Sequence, residues 1–64
     1  MSENGAAIEQ TAREWVDQHG ARAPRLLRER AEIAGGIGDE PGARAWREIA
    51  DAAEQMIREA TGRG

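Results

Sequence analysis

The stretch Ala43–Ala60, ARAWREIADAAEQMIREA, decides the fold of this 64-residue chain. When it is placed on a helix, one side is apolar and consists of Trp46, Ile49, Ala50, Ala53, Met56, Ile57 and Ala60. The opposite side is charged and consists of Arg44, Arg47, Glu48, Asp51, Glu54, Arg58 and Glu59. Apolar residues with a period near 3.6 indicate a helix with one buried side. The stretch therefore predicts a helix in a soluble protein, and by itself it indicates no chemistry.

Two further helices are predicted before this one. The first covers residues 6–18 and ends at His19-Gly20, because a glycine in the left-handed conformation closes many helices. The second begins at about Ala21–Ala23, with Pro24 in its first turn, and ends at about Ala34. The chain shows no strand pattern, internal repeat or low-complexity block, so these helices account for its organisation.

The sequence also predicts how the second helix is connected to the third. Three glycines within Gly35–Gly38 predict a linker, since each glycine costs a helix about 1 kcal/mol. Asp39 follows, and we expect its side chain to cap the third helix by accepting a hydrogen bond from the N–H of Gly42. The predicted fold is an all-α, three-helix mini-domain whose firmest part is the hairpin of the second and third helices. One helical domain covers residues 6–60, between a disordered N-terminus (1–5) and a mobile tail (61–64).

The apolar residues predict a thin core. Thirteen of the 25 apolar residues are alanine. Setting Met1 aside, the large ones are Ile8, Trp15, Val16, Leu26, Leu27, Ile33, Ile37, Trp46, Ile49, Met56 and Ile57. A chain this short buries a modest fraction of its surface and is marginally stable without help. We therefore expect a protein partner or a homo-oligomer to complete the core.

Composition narrows the possible settings. The chain has no cysteine, which favours a reducing compartment. The N-terminus lacks the basic and then apolar order of a signal peptide, and no apolar run approaches the length of a membrane span. The net charge of −3 argues against strong nonspecific binding to nucleic acid. We expect a cytoplasmic protein that is not associated with a membrane.

The residues give no indication of catalysis. His19 is the only histidine and has no partner at metal-ligand spacing, so we interpret it as a capping or packing residue. The glycines of Gly35–Gly38 neither follow a strand nor precede Lys-Ser/Thr, so they match no phosphate-binding loop. No nucleophile–base set can be assembled. We predict no catalytic, cofactor-binding or metal-binding residue, no cofactor, no small-molecule substrate and no enzymatic activity.

The candidate partner-binding residues are Arg30, Trp46, Arg22, Arg25, Ile33 and Ile37. Arg30 is the most unusual of them, because its guanidinium lies within the apolar side of the second helix. It must snorkel to water, pair with a carboxylate such as Asp17 or an acid of the third helix, or face a partner. Trp46, like Trp15, lies on an apolar side, which is typical of a core residue and also of a binding anchor.

Arg22, Arg25 and Arg28 recur every third residue and form a short basic ridge on the second helix. Such a ridge could meet phosphate or an acidic partner. The alternative is a solvated face without a binding role, with pairs Arg25–Glu29 and Arg28–Glu32, whose members lie four residues apart.

Two elements resemble a known family. His19-Gly20-Ala21-Arg22-Ala23-Pro24 looks like H-G-x-x-A-P, and Gly38–Trp46 looks like G-D-x-x-G-x-x-x-W, followed by Ile49-Ala50. At this separation, the pair is similar to a family of short helical bacterial proteins without an assigned activity. The resemblance covers about residues 19–57, and it implies a helical fold element and a cytoplasmic setting.

Two functions remain open from the sequence. The first is a non-enzymatic protein-interaction module, a small accessory, regulatory or inhibitor protein that acts through an apolar surface containing arginine. The alternative is a small dimeric regulator associated with nucleic acid, which would use the ridge of Arg22, Arg25 and Arg28. Because the chain is acidic overall, we expect nucleic acid to be the less favoured partner.

Overall fold

The computed structural model describes residues 3–62 and, for side chains, residues 5–62. It contains α1 (Glu3–His19), a 3₁₀ turn (Gly20–Arg22), α2 (Ala23–Gly36) and α3 (Glu40–Gly62). Within residues 3–62 no strand is present, which confirms the predicted all-α mini-domain. None of these helices has an apolar stretch long enough to cross a membrane.

The helices extend beyond their predicted ends. α1 begins at Glu3 rather than at residue 6, and α3 continues through Gly62 rather than ending at residue 60. At the C-terminal end of α3, the Thr61 hydroxyl donates to the carbonyl oxygen of Ile57, which keeps the last turn closed. Residues 1, 2, 63 and 64, which belong to the predicted disordered N-terminus and mobile tail, lie outside the described residues.

The junction of α1 and α2 is a left-handed glycine followed by one 3₁₀ turn. Gly20 has φ +63°, a conformation that glycine adopts without steric cost, so His19-Gly20 ends α1 as predicted. Pro24 lies in the first turn of α2, where its missing N–H leaves no hydrogen bond unmade. The chain therefore changes direction within three residues.

The junction of α2 and α3 corrects the predicted linker. Gly35 and Gly36 are helical, and only Ile37–Asp39 connect the two helices. Gly38 has φ +83°, its N–H donates to Gly35 O (3.1 Å), and the N–H of Asp39 donates to Ala34 O (2.8 Å). These two bonds define a Schellman motif, which satisfies the last carbonyls of α2 and so allows the glycines to remain in the helix.

Asp39 also begins α3. Its Oδ1 accepts a hydrogen bond from the N–H of Gly42 (3.0 Å), and its carbonyl accepts the first helical bond, from the N–H of Ala43 (2.9 Å). The predicted cap and its partner are thus confirmed. One residue closes α2 through its main chain and opens α3 through its side chain.

The core is narrow and built mainly from alanine. α2 and α3 form an antiparallel hairpin, and α1 packs mainly against α3. Among the described residues, Leu27 is the one large side chain that is fully buried. The other buried apolar residues are Ala12, Ala23, Ala31, Ala34, Ala43, Ala50 and Ala53. Small side chains let the helices approach closely but remove little apolar area from water, so the predicted thin core is what the fold contains.

α2 buries its alanine side rather than its isoleucine side. Leu27, Ala31 and Ala34 face the core, whereas Ile33 is 63% exposed and Ile37 is 77% exposed. Two large residues that would be expected to contribute to a core therefore contribute little to this one.

Candidate partner-binding site

Arg30 rests on the two tryptophans. Its Cζ lies 5.6 Å from the ring centroid of Trp15 and 5.9 Å from that of Trp46. Both distances are within the range of a cation–π interaction, in which the ring quadrupole attracts the guanidinium. Trp15 is supplied by α1, Arg30 by α2 and Trp46 by α3, so this contact joins all three helices.

The two indoles that contact Arg30 also pack against each other. Their centroids are 6.0 Å apart and their planes are 81° apart, which is the edge-to-face geometry that aromatic pairs prefer. Both rings are half-buried and pack against the alanine core. The ring of His19 lies 5.0 Å from that of Trp15, so His19 has a packing role. Each tryptophan is therefore both a core residue and a surface for Arg30.

The sequence left three possibilities for Arg30, namely snorkelling to water, pairing with a carboxylate of the chain, or facing a partner, and these contacts bear on the second. The hydrogen bonds and ion pairs between side chains of residues 5–62 do not include Arg30, so neither Asp17 nor an acid of α3 is its partner there. The residue is exposed, and its guanidinium lies within cation–π distance of two indoles rather than against a carboxylate of these residues. Arginine favours aromatic neighbours because its planar cation is weakly hydrated.

Three apolar residues lie on the same side of α2 as Arg30. Leu26, Arg30, Ile33 and Ile37 are spaced by four, three and four residues, which places them along one side of a helix. Leu26 is half-buried, and the two isoleucines are exposed. We call these four residues the Arg30 face. They include three of the six predicted binding residues, and a fourth, Trp46, lies beneath Arg30.

The predicted basic ridge does not exist as a free surface. Arg28 donates to Asp51 Oδ1 (3.2 Å) and to Glu54 Oε1 (3.0 Å) on α3, instead of pairing with Glu32 along its own helix. Among residues 5–62 the one remaining ion pair is Arg58–Glu54 at 3.9 Å. Arg22 and Arg25 are exposed, but without Arg28 they are two cations rather than a ridge of three.

The described residues lack two other features that can mark a site. They contain no group of His, Asp or Glu that could hold a metal ion, and no buried side-chain polar atom without a hydrogen-bond partner. An open groove surrounds Arg28, but the acids that line it include Glu54, which this arginine already engages. The Arg30 face is distinguished by Ile33 and Ile37, the two exposed large apolar side chains of the described residues.

Comparison of the chain with protein-family models, curated proteins and solved structures gave no match. The family resemblance of the segment from His19 to Ile57 accordingly stays a prediction.

Sequence reasoning missed the contact of Trp15 and Trp46 with Arg30, although a signal for half of it was present. Arg30 and Trp46 lie eight residues before and eight residues after Gly38. In an antiparallel hairpin that turns at Gly38, residues equidistant from the turn lie opposite each other. The position of Trp15 depends on how α1 packs, for which the sequence offers no comparable register.

Proposed function

We propose that this protein is a non-enzymatic interaction module, a small accessory or regulatory protein that binds a protein partner through the Arg30 face. The observation that carries the proposal is the exposure of Ile33 and Ile37 beside an arginine held over two indoles. A monomer gains nothing from leaving these isoleucines in water.

The energetics of the fold support the same proposal. Fully burying an isoleucine contributes about 1.5–3 kcal/mol, and Ile33 and Ile37 leave most of that contribution unused. A partner that covers them adds apolar burial to a domain in which Leu27 is the one fully buried large side chain of the described residues. Arginine and tryptophan are also the residue types that dominate binding energy at interfaces.

A capture experiment tests this function. We compare the wild-type protein with the variant Ile33→Ser/Ile37→Ser as bait in lysate of the source organism, and quantify retained proteins by mass spectrometry. Both positions are exposed, so the variant should remain folded, as circular dichroism checks. The expected result is a retained protein that the variant loses.

A matched control distinguishes loss of the Arg30 face from a general effect of substitutions on α2. Glu29→Ser/Glu32→Ser changes two exposed residues of the same helix that lie outside the Arg30 face and outside the predicted binding set. This control should retain the partner, whereas equal retention by all three proteins would overturn the proposal. Steep loss of DNA binding with added salt, which is the signature of phosphate contacts, would favour the nucleic-acid alternative instead.

A further inference from the structure

The guanidinium of Arg30 is oriented but not satisfied. Its Cζ lies 5.6 Å and 5.9 Å from the ring centroids of Trp15 and Trp46, and the bonds and ion pairs between side chains of residues 5–62 leave its N–H groups without an acid. Arginine donors lie in the plane of the group, in a fork that matches a carboxylate. Because these residues place no acid on its N–H groups, the cation is available to an acid of another molecule, and its contacts with the indoles lower the entropy lost when that acid binds.

The spacing of the Arg30 face indicates a helical occupant. Residues 26–37 extend over about three turns, or about 16 Å at 1.5 Å per residue. The apolar side chains lie at both ends of this stripe, and the cation lies between them. A partner helix that packs along the stripe parallel to α2 would place apolar residues at its own first, third and fourth contact positions, and an acid at the second.

Charge distinguishes a foreign partner from a second copy. Two copies packed through this face would bring two Arg30 guanidiniums close together, and each chain already has a net charge of −3. Like charges held at a desolvated contact oppose association. A carboxylate at the centre of another protein's apolar stripe has the opposite effect.

We propose that the Arg30 face binds an amphipathic helix of a partner protein, with one Asp or Glu within the apolar stripe of that helix pairing with the N–H groups of the Arg30 guanidinium. This inference rests on the proposed function and specifies its partner. Leu26, Ile33 and Ile37 supply the apolar contacts, and Arg30 selects for the acid.

Synthetic helical peptides test this inference. The probe is an alanine-rich peptide without aromatic residues, with leucines at i, i+7 and i+11 and glutamate at i+4. The comparison peptide carries glutamine at i+4. Binding is followed through the fluorescence of Trp15 and Trp46, because the occupant engages the arginine that lies on both rings. The glutamate peptide should bind about ten- to a hundredfold more tightly than the glutamine peptide, which is typical of a hydrogen bond to a charged group.

Three variants assign the preference to Arg30. Arg30→Gln should make the two peptides bind alike, whereas Arg30→Lys, which keeps the charge but not the fork, should keep part of the difference. Arg13→Gln, at an exposed arginine of α1 outside the predicted binding set, is the matched control and should keep all of it. Circular dichroism establishes that each variant is folded.

Several results would overturn the inference. It is wrong if the wild-type protein does not distinguish the peptides, if neither peptide binds, or if Arg30→Gln keeps the preference. It is also wrong if the protein forms a dimer that the glutamate peptide does not dissociate, since a second copy is then the occupant. The proposed function fails separately, when the Ile33→Ser/Ile37→Ser bait retains the same lysate proteins as the wild type.

Discussion

At the scale of single residues, the distinctive feature is an arginine whose partners are aromatic rings. Arg30 lies over Trp15 and Trp46, and both rings also pack on the core. The charge therefore contributes to the surface of the domain, whereas the rings contribute mainly to its stability. Substitutions can separate these two roles.

Arg30→Met should have a small effect on folding. An exposed cation–π contact contributes about 0.5–1 kcal/mol, and methionine restores part of it through its apolar stem and its sulfur–aromatic contact. Urea unfolding followed by circular dichroism should therefore show a loss of about 1 kcal/mol or less. A loss of about 3 kcal/mol would instead indicate that removing Arg30 leaves a buried carboxylate unpaired.

Trp46→Ala should have a much larger effect. The indole packs against the core, braces Trp15 and supports Arg30, so its removal should cost about 3 kcal/mol in the free energy of unfolding. In a domain this small, that loss leaves much of the protein unfolded in thermal melts. Trp46→Phe, which keeps an aromatic ring, is the control and should remain folded. An alanine variant with an unchanged melting curve would mean that Trp46 acts solely at the interface.

At the scale of elements, the junction of α2 and α3 depends on two residues with complementary requirements. Asp39 caps α3 through the N–H of Gly42. A Cβ added to Gly42 would overlap the Asp39 carboxylate, lying within 2.6 Å of its Cγ. The glycine in the first turn of α3 is therefore explained by the aspartate three residues before it.

Because of this coupling, Gly42→Ala should change the free energy of unfolding in opposite directions in the presence and absence of the Asp39 side chain. Asp39→Ala should cost about 1 kcal/mol, because it removes the cap. Gly42→Ala should destabilise the wild-type protein, since the carboxylate must rotate away from its hydrogen bond. In the Asp39→Ala background the same change should stabilise by up to about 1 kcal/mol, because alanine is the better helix former. Urea unfolding of the four proteins completes the cycle, and additive effects would show that the two residues are uncoupled.

The elements were predictable from sequence where their causes are local. The glycine stop at Gly20, the Asp39 cap and the proline in the first turn of α2 each depend on a few neighbouring residues, and all were found. The glycines at 35 and 36 were misassigned, because hydrogen bonds of the Schellman motif compensate for their poor propensity. The contacts of Arg28 with Asp51 and Glu54 connect residues 23 and 26 positions apart, and no local pattern encodes such contacts.

At the scale of the whole molecule, the domain combines a narrow alanine core with an uncovered apolar face. The two facts are related, because α2 buries its small residues against α3 and leaves Ile33 and Ile37 in water. A wider core would have used those isoleucines. The free chain thus lacks the stability that burying Ile33 and Ile37 would add, and under the proposed function a partner covers these two residues.

The isolated protein should nevertheless be monomeric at micromolar concentration. Self-association through the Arg30 face would juxtapose two guanidiniums and two chains of net charge −3. Sedimentation velocity should therefore give a single species of about 7.0 kDa whose sedimentation coefficient does not change with concentration. A dimer that dissociates in the Arg30→Gln variant would contradict this expectation.

The dual role of Asp39 has a consequence for how the molecule opens. Because its main-chain N–H belongs to the end of α2 and its carboxylate to the start of α3, neither helix can fray at this junction without the other. Native-state hydrogen exchange should accordingly give the amides of Asp39, Gly42 and Ala43 one common opening free energy. α1 is joined to the hairpin through a 3₁₀ turn whose N-cap makes no side-chain hydrogen bond, so we expect α1 to open separately from the hairpin. Such an opening would move Trp15 away from Arg30, and the position of α1 would then determine how firmly that cation is held.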